Sequence, residues 1–149
     1  MAGSLILDTS FLIDLEREAR AASGTPPTGA PRRARPTPAQ DFLKARPEER
    51  LNVSITTLAE LAIGTEDRER WEASIAPFGV LDIDADTCWQ YSRAYRYLAN
   101  QGKLIGSNDL WIAATAISHE SPVVTRDVEH FSRVPGLRVL RYRKESSET

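Results

Sequence analysis

One cysteine, one methionine and two histidines in 149 residues remove several chemistries at the outset. A single thiol, Cys88, cannot close an internal disulfide, and its apolar and aromatic surroundings suggest a core position. His119 and His130 do not share a metal-ligand spacing, so a zinc centre built on histidine and cysteine is excluded, and both read as helix-surface residues. No apolar run approaches the ~20 residues needed to span a bilayer. The start of the chain, MAGSLILDTS, lacks a basic segment, and its apolar stretch before Asp8 is only three residues long. A secretory signal is not expected there, and the cytoplasm is the expected compartment. The net charge of −2 argues against a protein that coats nucleic acid by bulk charge.

What is present is an ordinary globular composition, 41% hydrophobic and 27% charged, at the size of one domain. Positive charge is concentrated locally. Residues 20–35 hold Arg20, Arg32, Arg33 and Arg35 with no acid, and residues 137–144 hold Arg138, Arg141, Arg143 and Lys144 with none. Such basic arms can meet phosphates even in an acidic protein.

Residues 4–8 form a continuous apolar run ending in Asp8, the pattern of an inner strand of a parallel sheet. Phe11, Leu12 and Leu15 then follow helical spacing. Residues 21–36 carry four of the nine prolines and read as a loop insertion. Thr37, Pro38 and Gln40 suggest a capping box opening a helix to about residue 46. Further strands are expected at 51–54, 80–83, 122–125 and 137–140. Helices are expected at 56–64, 66–76, 86–101, 110–118 and 127–131. Trp89, Ala94, Tyr97 and Leu98 stand at core-like spacing in the longest helix, Gly102 ends it, and Ser107 is expected to cap the next. Trp71, Trp89 and Trp111 read as packing residues. This alternation implies an α/β fold, a three-layer sandwich with a central, mainly parallel sheet flanked by helices. One domain is expected over 1–144, with 145–149 a short tail.

Asp8 ends the first strand, Glu60 and Asp109 open helices, and Asp127 follows a strand into another helix. In a parallel sheet, strand C-termini and helix N-termini share one edge, so topology gathers all four. Each acid also has a plainer role, since carboxylates suit first helical turns and Thr57-Leu-Ala-Glu60 fits a capping box. Such contacts are worth about 1 kcal/mol. Two carboxylates about 4 Å apart repel by roughly 4 kcal/mol at an effective dielectric near 20. If the four converge, a cation must balance them, and an all-oxygen donor set favours Mg²⁺ or Mn²⁺. Two ions, or one ion with a general base, would suit hydrolysis of a phosphodiester.

LILDTSFLIDL, ITTLAEL, GSNDLWIAATA and VVTRDVEHFSRVPGLRV, in this order, resemble the signature blocks of PIN-domain proteins, most of all the VapC-type toxins of toxin–antitoxin operons. The resemblance covers nearly the whole chain except the 21–36 loop, which departs from the compact pattern, and the last residues. It implies a Mg²⁺- or Mn²⁺-dependent endoribonuclease with Asp8 and Asp109 as the most direct metal ligands. Glu60 and Asp127 would complete the catalytic pocket, and Ser10, Ser107, Asn108 and Thr125 would hold carboxylates or water. It further implies an RNA substrate, a homodimer, a VapB-like antitoxin across the acidic groove, and no membrane association. The alternatives are a housekeeping RNA-processing nuclease of the same fold and a catalytically silent binding module. A phosphatase or receiver that phosphorylates Asp8 is disfavoured, because Thr9 and Ser10 follow Asp8 where a phosphatase needs a second aspartate.

Overall fold

The computed structural model describes residues 3–24 and 36–144. Most of the expected 21–36 loop (25–35) and the expected 145–149 tail lie outside the described residues. In chain order the elements are β1 (Ser4–Leu7), α1 (Thr9–Ser23), α2 (Pro38–Lys44), β2 (Arg50–Ser54), α3 (Ile55–Ile63) and α4 (Arg68–Ile75). They continue with β3 (Gly79–Leu81), α5 (Ala85–Asn100), α6 (Ser107–Ser118), β4 (Val123–Val124), α7 (Val128–Phe131) and β5 (Val139–Leu140). All strand pairs are parallel, in the order β3-β2-β1-β4-β5.

The two-residue pleat of β1 divides the core. Ile6 faces one side with Val123, among Leu98, Leu110, Ile112, Ala113 and Phe131 of α5, α6 and α7. Leu5 and Leu7 face the other side with Val53 and Val124, against Phe11 and Leu12 of α1 and Phe42 of α2. Every residue from Leu5 to Leu7 is buried, as the unbroken apolar run requires when both sheet faces are covered. Each such side chain contributes about 1.5–3 kcal/mol of burial. Phe11 also meets the rings of Phe42 and Tyr142 edge-on, at 5.9 and 4.8 Å, tying α1 to α2 and to the C-terminal segment.

Several local expectations are corrected. α1 runs to Ser23, two residues beyond the loop start expected from Ala21. Thr37 precedes α2 but its side chain does not cap; it donates instead to Asp41, and Glu18 of α1 accepts the Ala39 and Gln40 N–H groups at 3.0 Å each. A tertiary carboxylate thus replaces the capping box. The N-cap of α6 is Gly106 and Ser107 is the first helical residue, so Ser107 caps nothing. The buried face of α5 is formed by Thr87, Ala94 and Leu98, with Tyr91 stacked on Trp111 at 4.0 Å. Trp89 and Tyr97 lie off that face and are 58% and 45% exposed, and Cys88 is exposed rather than core. Trp71 and Trp111 are partly buried, and the Trp71 indole donates to Leu58 O.

Candidate active site: four acids along one sheet edge

The chain passes from β1 to β2 on one side and later returns to β4 on the other, so the strand order reverses beside β1. The crevice at such a reversal, outside the strand C-termini, is where open parallel sheets place ligands. Asp8 follows β1 there, Thr125 follows β4, and Ser54 closes β2.

Asp8 occupies the N-cap position of α1, yet its side chain makes no cap hydrogen bond. Its backbone carbonyl accepts from Phe11 and Leu12. Its Oδ2 accepts from the hydroxyls of Ser10 (2.7 Å) and Thr125 (2.8 Å). Thr125 is fully buried and Asp8 is 5% exposed, so these two donors fix the carboxylate against the strand ends. Thr125 Oγ1 also accepts the Asp127 N–H (3.0 Å), which locks the β4–α7 turn onto the same point.

Glu60 is the sixth residue of α3, not a first-turn residue, because the helix begins at Ile55. Ser54 caps this helix by accepting the Thr57 N–H (3.1 Å), so the capping-box reading of Glu60 is withdrawn. Glu60 Oε1 instead accepts the hydroxyl of Thr9 (2.8 Å), across from α1. Thr9 also lies 3.1 Å from the buried Thr57 hydroxyl, which links the starts of α1 and α3.

Asp127 does cap: its Oδ1 accepts the His130 N–H (3.2 Å) and its Oδ2 stands 2.5 Å from His130 Nδ1. His130 is therefore more than surface decoration, and the i, i+3 spacing from Asp127 was the visible signal for it. Thr9 gave no such signal, because its partner is 51 residues away. Ser107 and Asn108 are exposed, and among the described residues neither donates to any of the four acids.

Asp109, in the first turn of α6, differs from the other three in having no hydrogen-bond donor among the described residues. Burial, then the charges of Asp8, Asp127 and Glu60, push its carboxyl up from 3.8 to about 6, with His130 opposing. Desolvation and like charge both disfavour the ionised form. All three other acids act on this one group, so the four share an electrostatic site. Among the described residues no three His, Cys, Asp or Glu side chains stand in a ready metal-ligating array. The acids are within electrostatic reach, spread around the crevice. Their donors are carboxylate and hydroxyl oxygens, and the one nearby imidazole is engaged by Asp127. That set fits a hard divalent cation and does not fit zinc or copper.

Comparison with known proteins agrees with this fold. The family model for the PIN domain matches residues 32–137, a segment that leaves Asp8 outside it. Ribonuclease VapC1 of Haemophilus influenzae is 35% identical over 98 residues, covering 61% of this chain and 73% of that protein. Ribonuclease VapC5 of Mycobacterium tuberculosis is 35% identical over 97 residues, covering 59% and 71%. Among solved structures, VapBC-1 from nontypeable Haemophilus influenzae superposes with a TM-score of 0.68 at 27% identity, over 95% of this chain and 99% of that one. VapBC2 from Rickettsia felis, bound to a DNA fragment from its promoter, shares the fold at a TM-score of 0.73 and 21% identity, over 94% and 99%. Among the described residues no helix is long and apolar enough to cross a membrane. The chain belongs to the PIN-domain family, in the group that holds the VapC ribonucleases.

Proposed function

We infer that this protein is a divalent-metal-dependent endoribonuclease that acts as the toxin of a toxin–antitoxin pair, with Asp8, Glu60, Asp109 and Asp127 as its catalytic acids. The observation that carries the reading is the gathering of the four acids at one strand-end edge, where Asp109 has no hydrogen-bond donor among the described residues and burial with the three other acids pushes its carboxyl up to about 6. The ribonuclease names of its relatives supply the substrate class, and the VapBC complexes among its structural neighbours supply the antitoxin partner.

Mg²⁺ or Mn²⁺ is the expected ion, held by Asp8 and Asp109 with Glu60 and Asp127 completing the pocket. When bound, such an ion polarises phosphoryl oxygens and makes water a better nucleophile near neutral pH. The chain's own residues do the positioning. Ser10 and Thr125 hold one oxygen of Asp8, and among the described residues its Oδ1 takes no hydrogen bond. Thr9 orients Glu60, and the His130 backbone and ring orient Asp127. Hydroxyl and imidazole partners of this kind fix the direction in which a carboxylate presents its lone pairs. A homodimer and an antitoxin would need apolar surface, and Ile63, Trp89 and Leu104 leave it exposed.

A circular single-stranded RNA tests the reading, because only an internal cut can open it. Purified protein with Mg²⁺ or Mn²⁺ should linearise the circle before smaller fragments appear, and excess EDTA should stop the reaction. Circles left intact under both ions, whether or not linear RNA is trimmed from its ends, would overturn the endonuclease assignment.

A further inference from the structure

The cluster around Asp14 has no part in the acid site yet adjoins it. Asp14 lies on the buried side of α1, with its side chain 1% exposed. One oxygen receives Arg126 Nη1 at 3.2 Å, and the other receives Arg143 Nη2 at 3.0 Å and the Tyr142 hydroxyl at 2.5 Å. Two guanidinium groups thus share one carboxylate and leave a local excess of positive charge. Both arginines remain nearly half exposed. Each guanidinium has five N–H donors, so most of them are not used by Asp14. The ordering entropy of both side chains is already spent in the folded protein, which favours binding of a further anion.

Arg126 links this cluster to the acids. It stands between Thr125 and Asp127, and its backbone N–H donates to Ser10 Oγ (3.2 Å), the same hydroxyl that donates to Asp8. On the far side of Asp14 a groove of about 1040 Å³ opens between α1, α2 and the C-terminal segment. Its cations are Arg17, Arg46, Arg141, Arg143 and Lys144, against Asp14, Glu18 and Asp41. Those acids are engaged: Glu18 caps α2, and Asp41 takes the Thr37 hydroxyl. The groove is far larger than one phosphate group and is lined by five cations against three acids, which suits a polyanionic strand rather than a small ion.

We propose that Arg126 and Arg143, braced by Asp14, form a phosphate subsite for the RNA strand flanking the scissile linkage, and that the basic groove behind them carries the strand onward. This rests on the ribonuclease reading above and extends it. Arginine is the residue for such a role, because its planar fork matches phosphate oxygens in pairs.

The test measures binding of a fluorescein-labelled single-stranded RNA by anisotropy across a KCl series, with Mg²⁺ present and in the Asp8→Asn background to prevent cutting. Steady-state cleavage is measured in the otherwise wild-type chain. Arg143→Ala should weaken binding roughly tenfold irrespective of RNA sequence and lower the salt slope by about 0.7. It should raise KM with kcat within about twofold, as loss of uniform binding does. Arg143→Lys should recover part of the affinity. Arg17→Ala, on the exposed face of α1 and outside the Asp14 cluster, should lower the slope similarly and is the reading to use if Arg143→Ala unfolds. Unchanged affinity and slope in Arg143→Ala and Arg17→Ala, or in Arg17→Ala alone where Arg143→Ala unfolds, with RNA still cleaved, would overturn the subsite and leave the ribonuclease reading intact. Unchanged RNA affinity with weakened capture of an acidic protein partner would overturn it equally. Tight, arginine-dependent RNA binding with no cleavage by the wild type would uphold the groove and sink the ribonuclease reading.

Discussion

Asp8→Asn is expected to reduce RNA cleavage by at least about a thousandfold while leaving the fold intact, and Asp109→Asn to do the same. Asparagine keeps the shape of the side chain and its ability to accept from Ser10 and Thr125, so packing around the 5%-exposed Asp8 is preserved. What is lost is one negative charge at the strand edge where the four acids interact. A cation site depends on that charge more than on shape. Thr125→Ala should be milder, about 10–100-fold, because it removes an orienting donor and leaves the carboxylate. The toxin role adds a cellular readout: expression without an antitoxin should arrest growth, and Asp8→Asn should abolish the arrest. A folded Asp8→Asn or Asp109→Asn protein that cut RNA at the wild-type rate would remove that residue from the site.

The second large effect is on stability, with the sign opposite to that of most active-site losses. Unfolded, Asp109 releases its proton near 3.8; folded, near 6. Between those values the native state holds a proton that the unfolded chain has given up. Stability therefore falls as pH rises through that window, and the full penalty stands above pH 6. At 1.36 kcal/mol per pH unit the shift would amount to about 3 kcal/mol. Asp109 is half-buried and partly screened, so about 1–2 kcal/mol is the expected penalty. Asp109→Asn should remove it, raising Tm in EDTA at pH 7.5 by about 3–8 °C. At pH 3, below both values, Asp109 is neutral in the native and unfolded chains alike, and the two proteins should melt together. Added Mg²⁺ should raise the wild-type Tm more than that of the variant, since a ligand stabilises only the state that binds it. A variant less stable than wild type at pH 7.5 in EDTA, or equal Mg²⁺ shifts in both, would contradict a shared carboxylate site.

The centre of the sheet was legible because β1 and β4 are short continuous apolar runs separated by helical patterns. Residues 5–7 could only be a strand covered on both faces, and alternation of strand and helix dictated parallel pairing. From there, the placement of four acids at one edge needed no side-chain information. What could not be read were choices decided by tertiary contact. Glu18, not Gln40, satisfies the start of α2, because α1 brings a carboxylate to it from 21 and 22 residues away. Trp89 and Tyr97 looked like core because aromatic residues usually seek burial. Thr87, Tyr91, Ala94 and Leu98 define a face that is filled without them. Glu60 looked like a cap because Thr57 was read as the N-cap, three residues past Ser54, which holds that position. The Asp14 cluster escaped notice because an aspartate on an amphipathic helix reads as solvent-facing. Only the return of Tyr142 and Arg143 from the far end of the chain makes it a buried anchor. Thr9 and Arg126 belong to the same class of residue, ordinary in sequence and placed by topology.

The most direct measurement is anomalous diffraction from crystals of the wild-type protein soaked in Mn²⁺. A peak is expected bonded to carboxylate oxygens of both Asp8 and Asp109, at about 2.0–2.3 Å, with Glu60 and Asp127 facing it directly or through water. The same soak of Asp109→Asn crystals should show the peak lost or strongly weakened. A strong Mn²⁺ peak that touches neither Asp8 nor Asp109, in a protein that still cleaves RNA, would contradict the assignment of these four acids to one metal site.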